Sequence, residues 1–293
     1  MINSHLLKLE PSMFEKSNLS DKEFHRLSEF IHAEYGIKMP LAKKTLLESR
    51  LQQRLRQLEI ESFAKYCDYL FSNEGRANEM VHFVNKITTN KTDFFREPGH
   101  FQHLTQTILP QLIEQSAPRR TLKFWSAGCS TGEEPYTLAM VLNEYKGQHP
   151  GSRWDFSILA TDLSPEVLNI ARTGIYDEER ITPIRMDLRK KYLLKHKDKS
   201  KNLVRITSAV RNQIQFRRLN FMDRNFNIKE RMDLIFCRNV IIYFDKATQE
   251  KLINQFCSTL NPNGYIFLGH SESIQGLNVP LTQIFPTIYK KKK

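Results

Sequence analysis

Several absences narrow this chain before anything else is read. It has no run of about 18 apolar residues, so no membrane-spanning helix is expected. The opening Met1-Ile2-Asn3-Ser4-His5-Leu6-Leu7-Lys8 has neither a long apolar core nor a small-residue cleavage site, which argues against a secretory leader. Cysteine is scarce: Cys67, Cys129, Cys237 and Cys257 make no C-x-x-C pair, and no His/Cys cluster has zinc-ligand spacing. These thiols read as small buried hydrophobes of a reduced, cytoplasmic protein, and no metal site is expected. No convincing Ser/His/Asp or Cys/His constellation for nucleophilic catalysis is found.

What is present is an ordinary globular balance, with 40% hydrophobic and 26% charged residues in 293. A chain of this length buries roughly 75% of its unfolded surface and needs no disulfide to hold a core. Charge is the unusual feature, 44 Lys and Arg against 32 Asp and Glu, for a net +12. The excess is local. Lys38 to Arg56 carries a net +5, Arg185 to Arg218 a net +10, and the chain ends in Lys290-Lys291-Lys292-Lys293. Such clusters steer acidic partners, whether nucleic acid, an acidic membrane surface or an acidic protein, and charge alone does not choose among them.

The first third reads as helical. Phe24, Leu27, Phe30 and Ile31 recur at helical spacing after Ser20, with Glu23 placed to complete a capping box and Gly36 to end the helix. A second helix after Pro40 carries Leu46, Leu47, Leu51, Leu55 and Leu58, with Arg50 and Arg54 sharing a face. Further helices are expected over 63–71 and 77–87. Beyond residue 88 short apolar runs alternate with helical segments: strands at 122–128, 156–162, 214–219, 233–237 and 265–269, helices at 133–145, 164–172 and 248–260. That alternation predicts a mostly parallel sheet covered on both faces. Residues 190–212 break the rhythm and read as a small β insertion.

Ligands of open α/β sheets bind beyond the carboxyl ends of the strands. After the first strand comes Ser126-Ala127-Gly128-Cys129-Ser130-Thr131-Gly132-Glu133-Glu134. Its small residues permit close backbone approach before a helix N-terminus, yet it is neither G-x-G-x-x-G nor a P-loop. Asp162 ends the second strand, where a carboxylate can accept from both hydroxyls of a ribose or cap the next helix. Asn220 closes a later strand, and Arg238 and Asn239 follow another, so polar groups sit where a ligand would lie. Tyr243 reads either as a site residue or as core.

Taken in order, Thr88-Thr89-Asn90-Lys91-Thr92-Asp93-Phe94-Phe95-Arg96-Glu97, Ser130-Thr131-Gly132-Glu133-Glu134-Pro135-Tyr136, Ala160-Thr161-Asp162, Ile235-Phe236-Cys237-Arg238-Asn239-Val240-Ile241-Ile242-Tyr243-Phe244-Asp245 and Gly269-His270-Ser271-Glu272 closely resemble the chemotaxis receptor methyltransferases of the CheR type. The resemblance covers roughly residues 20–289. It implies an all-α N-terminal receptor-docking domain (1–88), a linker contributing to the cofactor site (89–118), and a Rossmann-like class I methyltransferase domain (119–293) with the β insertion near 190–212. It further implies an enzyme that uses S-adenosyl-L-methionine to form methyl esters on glutamates of the cytoplasmic helices of bacterial chemoreceptors, leaving S-adenosyl-L-homocysteine.

Carried onto this sequence, Asn90, Thr92 and Arg96 would border the cofactor, Glu134 would bind its ammonium and Asp162 its ribose. Asn220, Phe221, Arg238 and Asn239 would complete the pocket, Arg96 and Tyr243 would lie near the reacting methyl, and Arg50, Arg54 and Arg56 would form the receptor-docking face. One departure stands out. The insertion loop His196-Lys197-Asp198-Lys199-Ser200-Lys201-Asn202 lacks the glycine found in relatives that bind a peptide at the receptor's C-terminus, so such a tether is not carried over. An RNA methyltransferase is the alternative that the basic stretch suggests, but Arg189–Lys201 holds only Tyr192 as an aromatic platform. A non-catalytic cofactor-binding signalling module is a third reading, against which Arg96 and Tyr243 weigh.

Overall fold

The computed structural model describes residues 17–115, 120–151 and 153–292; the opening Met1–Lys8 segment, residues 116–119 at the expected linker end and Lys293 lie outside the described residues. The chain groups into two compact units, one reaching to Ala33 and then from Met39 to Thr88, the other comprising Glu34–Lys38 and everything from Thr89 on.

The first unit is helical. In α1 (Asp21–Tyr35) the capping box forms as its sequence dictates: Ser20 N–H donates to Glu23 Oε2 at 2.7 Å, and Glu23 N–H to Ser20 Oγ at 3.3 Å. Gly36, at φ +70°, ends it. A short 3-10 turn leads into α2 (Lys44–Gln57), which buries Leu47, Leu51 and Leu55, and α3 spans Phe63–Phe71. The helix expected over 77–87 is instead two, α4 (Asn73–Asn78) and α5 (Met80–Ile87). Ser72 caps α4 early by accepting from Gly75 N–H. The break falls at Glu79, whose side chain is buried against Arg54 and Tyr66.

The second unit opens with α6 (Pro98–His103), a π-helical turn and α7 (Leu109–Glu114). This stretch is expected as linker, yet Phe101, Leu104, Ile108, Leu109 and Leu112 are buried in the main core, so it is part of the sheet's covering layer. Next come β1 (Thr121–Ala127), α8 (Glu133–Gln148), β2 (Asp155–Asp162) and α9 (Pro165–Thr173). Ser164 caps α9 through Val167 N–H, with Pro165 at the first position where its missing N–H has no consequence. Then follow β3 (Ile175–Asp177), α10 (Met186–Tyr192), β4 (Leu193–Lys195), β5 (Leu203–Ile206), α11 (Ser208–Arg211) and β6 (Ile214–Arg218). The chain ends with β7 (Met232–Cys237), α12 (Lys246–Thr259), β8 (Leu260–Leu268), β9 (Leu281–Phe285) and β10 (Ile288–Lys291).

Seven strands form one sheet in the order β6-β2-β1-β7-β8-β10-β9. The first five are parallel, with Trp125 opposite both Leu159 and Ile235, and β10 is antiparallel to both its neighbours. The period-2 alternation of strands splits the core between the two faces. Leu122, Phe124, Leu234, Phe236, Tyr265 and Phe267 pack on one side, and Trp125, Ala127, Ile235, Cys237, Ile266 and Leu268 on the other. The insertion is larger than expected. Its three-stranded sheet, ordered β3-β5-β4, begins at Ile175 and encloses a helix. Much of the +10 stretch is occupied internally: Lys191 pairs with Glu144 and Lys195 with Glu178, while Arg189, Arg205, Arg211 and Arg217 donate to backbone carbonyls.

Candidate functional site: a donor crevice at the strand ends

The chain leaves β1 toward β2 and β6, then returns on the other side to β7, so the sheet's switch point lies between β1 and β7. The loops at this point touch. Gly128 has φ +86°, and a Cβ there would stand 2.5 Å from Val240 Cγ2, so only glycine lets the turn after β1 pass the turn after β7. Gly269 is bound by the same crowding, since its Cβ would meet the Asn239 amide nitrogen at 2.8 Å.

Asp162, at the end of β2, is 9% exposed. Its Oδ2 accepts from Ser130 N–H at 2.8 Å and its Oδ1 from Ser164 N–H at 3.0 Å. Burial pushes its carboxyl above the usual range, while these amides pull the other way. A third amide, Leu163 N–H, also pulls on the carboxylate, which keeps acceptor capacity for a ligand hydroxyl. Ser130 Oγ in turn donates to the Asn90 carbonyl at 2.8 Å, which draws Asn90 up to the same turn.

Arg238 ties the crevice together. Its side chain, 2% exposed, ends β7 and donates through Nη1 to Glu134 Oε2 at 3.1 Å and through Nη2 to Glu97 Oε2 at 3.1 Å. A further bond runs to the Arg96 carbonyl, and the guanidinium lies over the rings of Phe101 and Phe236. Glu134, in the first turn of α8, also accepts from Ser126 Oγ at 2.7 Å. Burial raises its carboxyl, with Arg238 opposing. Burial also pushes on Glu97, but Arg238 and the His270 N–H outweigh it and hold that carboxyl below its ordinary range. One cation against two carboxylates leaves this buried trio one negative charge in excess, a setting that favours a cationic ligand.

Asn239 sits in the left-handed region at φ +59°, and its buried Oδ1 accepts no hydrogen bond. Non-glycine residues Phe95, Glu97 and Ser130 share that region, at φ +54°, +56° and +49°. Strain of this kind persists where surrounding contacts over-determine it, and four of the nine such residues among those described border this crevice. Asn220 donates from Nδ2 to the Glu34 carbonyl at 2.7 Å and accepts from Met222 N–H at 3.1 Å. Phe221, half-buried, packs edge-on to Phe256 with 5.6 Å between ring centroids. Tyr243 is half-buried at the end of the 3-10 turn Ile241–Tyr243, and Arg96 Nη1 donates to the Lys91 carbonyl at 3.1 Å. Thr92 is fixed through its carbonyl, which accepts from Arg180 Nη2 at 3.3 Å.

In the first unit the three expected docking arginines separate. Arg50 Nη1 caps the end of α5, donating to the carbonyls of Lys86, Ile87 and Thr88 at 3.2, 3.3 and 3.2 Å. Arg54 forms a two-point ion pair with buried Glu79, at 2.9 and 2.5 Å. Both therefore hold the helices to one another, and Arg56 alone of the three is exposed.

Sequence reasoning assigned no role to three groups that build the crevice. Glu97 and Glu272 lie inside the motifs quoted above, and motif membership was their available signal. Glu272 accepts from Asn239 N–H (2.8 Å), Val240 N–H (2.7 Å), Ile241 N–H (2.8 Å) and Gly269 N–H (2.6 Å), so one carboxylate folds the turn after β7. The third is the Arg180–Glu133 pair, which joins the insertion to α8 and the Thr92 carbonyl.

This geometry fits a donor with a ribose and a cationic amino-acid end. Asp162 has acceptor capacity left, the Glu97–Glu134–Arg238 trio favours positive charge, and Asn239 Oδ1 is an acceptor without a partner. With this strand order, the fold is that of a class I S-adenosylmethionine-dependent methyltransferase. Residues 22–88 match the model of the CheR methyltransferase all-alpha domain, and residues 90–289 that of the CheR methyltransferase SAM binding domain. The chain belongs to the CheR methyltransferase family. It is 41% identical over 276 residues to the chemotaxis protein methyltransferase of Borreliella burgdorferi, covering 94% of this chain and 95% of that one. To the chemotaxis protein methyltransferase of Escherichia coli it is 37% identical over 283 residues, covering 96% and 94%. Among the described residues no helix is long and apolar enough to cross a membrane.

Proposed function

We propose that this methyltransferase forms methyl esters on glutamate side chains of the cytoplasmic helices of chemoreceptors. The observation that carries the reading is the way the crevice uses its acids. Asp162, Glu134, Glu97 and Glu272 each accept hydrogen bonds from the chain's own donors and are built in as binding and positioning groups. A glutamate substrate, with a reference pKa of about 4.3, arrives ionised and needs no proton removed, so a site without a dedicated base suits it. The names of the curated relatives support the chemotactic setting.

S-adenosylmethionine, when bound, supplies a methyl carbon activated by a positively charged sulfur, and S-adenosylhomocysteine is its product. Asp162 would hold the ribose hydroxyls; Glu134, with Arg238 behind it, would hold the ammonium, and Asn239 Oδ1 would offer a further acceptor. Asn90, Thr92, Asn220 and Phe221 close the walls. Arg96 and Tyr243 stand nearest the methyl, where Arg96 orients the incoming carboxylate. A tight pair there would stabilise the ground state and slow attack, so orientation is its useful part. In the first unit Arg56 presents the charge that meets the acidic receptor, on a helix made rigid by Arg50 and Arg54. Incubation of labelled donor with receptor cytoplasmic fragments should give label released by alkali as methanol; a competent receptor yielding no alkali-labile label would refute the assignment.

A further inference from the structure

The structure points to a second ligand site on the outer rim of the crevice, formed by Glu97, His100 and His270. One ligand atom from each residue lies within 4.8 Å of the other two, and among the described residues this is the sole such cluster. His100, on α6, is 2% exposed, with its ring edge-on to Phe267 at 5.5 Å between centroids and to His270 at 5.1 Å.

One tautomer of His100 offers a free nitrogen to the cluster. Nε2 lies 2.9 Å from Thr287 Oγ1, whose own proton goes to the Pro286 carbonyl at 2.7 Å. With the ring proton on Nε2, Thr287 Oγ1 accepts it and Nδ1 keeps a lone pair for a ligand. That Nδ1 is buried without a hydrogen-bond partner and faces Glu97 Oε2 at 3.4 Å. In that tautomer two acceptors face each other, and a cation between them would be shared by both. His270 Nε2 stands 3.9 Å from the same oxygen, on a ring 64% exposed that can swing inward. An unpaired imidazole nitrogen, a carboxylate oxygen at ligand-to-ligand spacing and a second imidazole are the donors that a tetrahedral zinc-class ion takes, with water in the remaining place. The Nε2–H to Thr287 bond supplies the outer-shell partner that metal-bound histidines regularly have.

We propose that Glu97 Oε2, His100 Nδ1 and His270 Nε2 bind a divalent transition-metal ion of the zinc class. Magnesium and calcium are disfavoured, because they take oxygen ligands. The adjacent Arg238 guanidinium competes for Glu97 Oε2, so the site is an exchangeable one and not a structural zinc site. Its ligands lie on the segment before β1 and on the turn after β8, so a bound ion would clip two walls of the donor crevice together. Spacing rules could not find it, because His270 is far along the chain from the other two.

The test uses the full-length protein and Co2+ alone. The chain has nine histidines, so surface binding is separated by variants. Expected is one equivalent of Co2+ with the intense visible bands of four-coordination, displaced by Zn2+. His270→Ala should abolish those bands, and Thr287→Val should weaken binding roughly 10–100-fold. His82→Ala, at an exposed position elsewhere, should leave them unchanged. Absence of four-coordinate bands, or bands that survive His270→Ala, would overturn the proposal. Ion binding is read without methyl transfer, so this result stands apart from the fate of the glutamate assignment.

Discussion

Glu272→Gln replaces one atom and tests whether a single carboxylate organises the turn that carries Asn239 and Tyr243. The wild-type side chain accepts four backbone N–H groups at 2.6–2.8 Å, two on each oxygen. Glutamine keeps one oxygen for two of them and turns a donor NH2 toward the others. Hydrogen bonds to a charged group contribute roughly 1.5–3 kcal/mol each, so losing two costs about 3–6 kcal/mol. Burial works in the opposite direction, since it raises this carboxyl and makes its ionised form costly, so the lower end applies. For a unit of this size, about 3 kcal/mol lowers the melting temperature by roughly 6–12 °C. Donor affinity should fall about tenfold or more as Asn239 shifts, since misplacement of about 1 Å carries effects up to roughly a hundredfold. Thermal melts followed by circular dichroism and titration calorimetry with S-adenosylhomocysteine read both. A variant melting within about 2 °C of wild type with unchanged affinity would refute the reasoning.

Three other outcomes follow from the geometry. Asp162→Asn should weaken the donor by roughly tenfold to a thousandfold in calorimetry, since the amide cannot serve both backbone amides and still accept from ribose; affinity within about threefold of wild type would count against the ribose assignment. Glu79→Gln should destabilise the helical unit by about 3–5 kcal/mol in chemical denaturation, because it strips the counter-charge from Arg54, whose side chain is only 11% exposed. On acidification from about pH 8 to about pH 5, donor affinity should decline earlier than an ordinary carboxylate would allow, because burial raises both Glu134 and Asp162. The sign is fixed by linkage: a raised carboxyl costs folding stability as pH climbs through its folded value, and a cationic donor relieves that cost only while the groups are ionised. Affinity flat across this range would remove Glu134 from the binding role.

Much of the fold was legible because the signals were local. The strands β1, β2 and β7 are apolar runs ending in small or polar residues, β6 alternates apolar and polar, and α1 and α9 carry their own caps. Elements that rely on distant partners were not legible. Pro98, Gly99 and Pro110 disguise the helical stretch before β1, and only burial against the sheet makes helix the better outcome there. Strand β3 is three residues long and exists by pairing with β5. In β9 most side chains are exposed, so no alternation marks it, and β10 supplies its register. The same holds for the site. Asp162 could be placed from its strand end, whereas the link from Arg238 to Glu97 and Glu134 joins three remote parts of the chain and follows no spacing rule.

The Arg238 network also decides where the polypeptide can be cut. A fragment beginning at the first residue of the sheet looks reasonable by strand content, but it would discard Glu97, the Arg96 carbonyl and the ring of Phe101 together. The guanidinium would then sit in the interior with only Glu134 as counter-ion, and the loss of a buried partner costs about 3–5 kcal/mol. A catalytic fragment must therefore start no later than about Thr89, which makes the segment ahead of the sheet an inseparable part of the enzyme rather than a spacer.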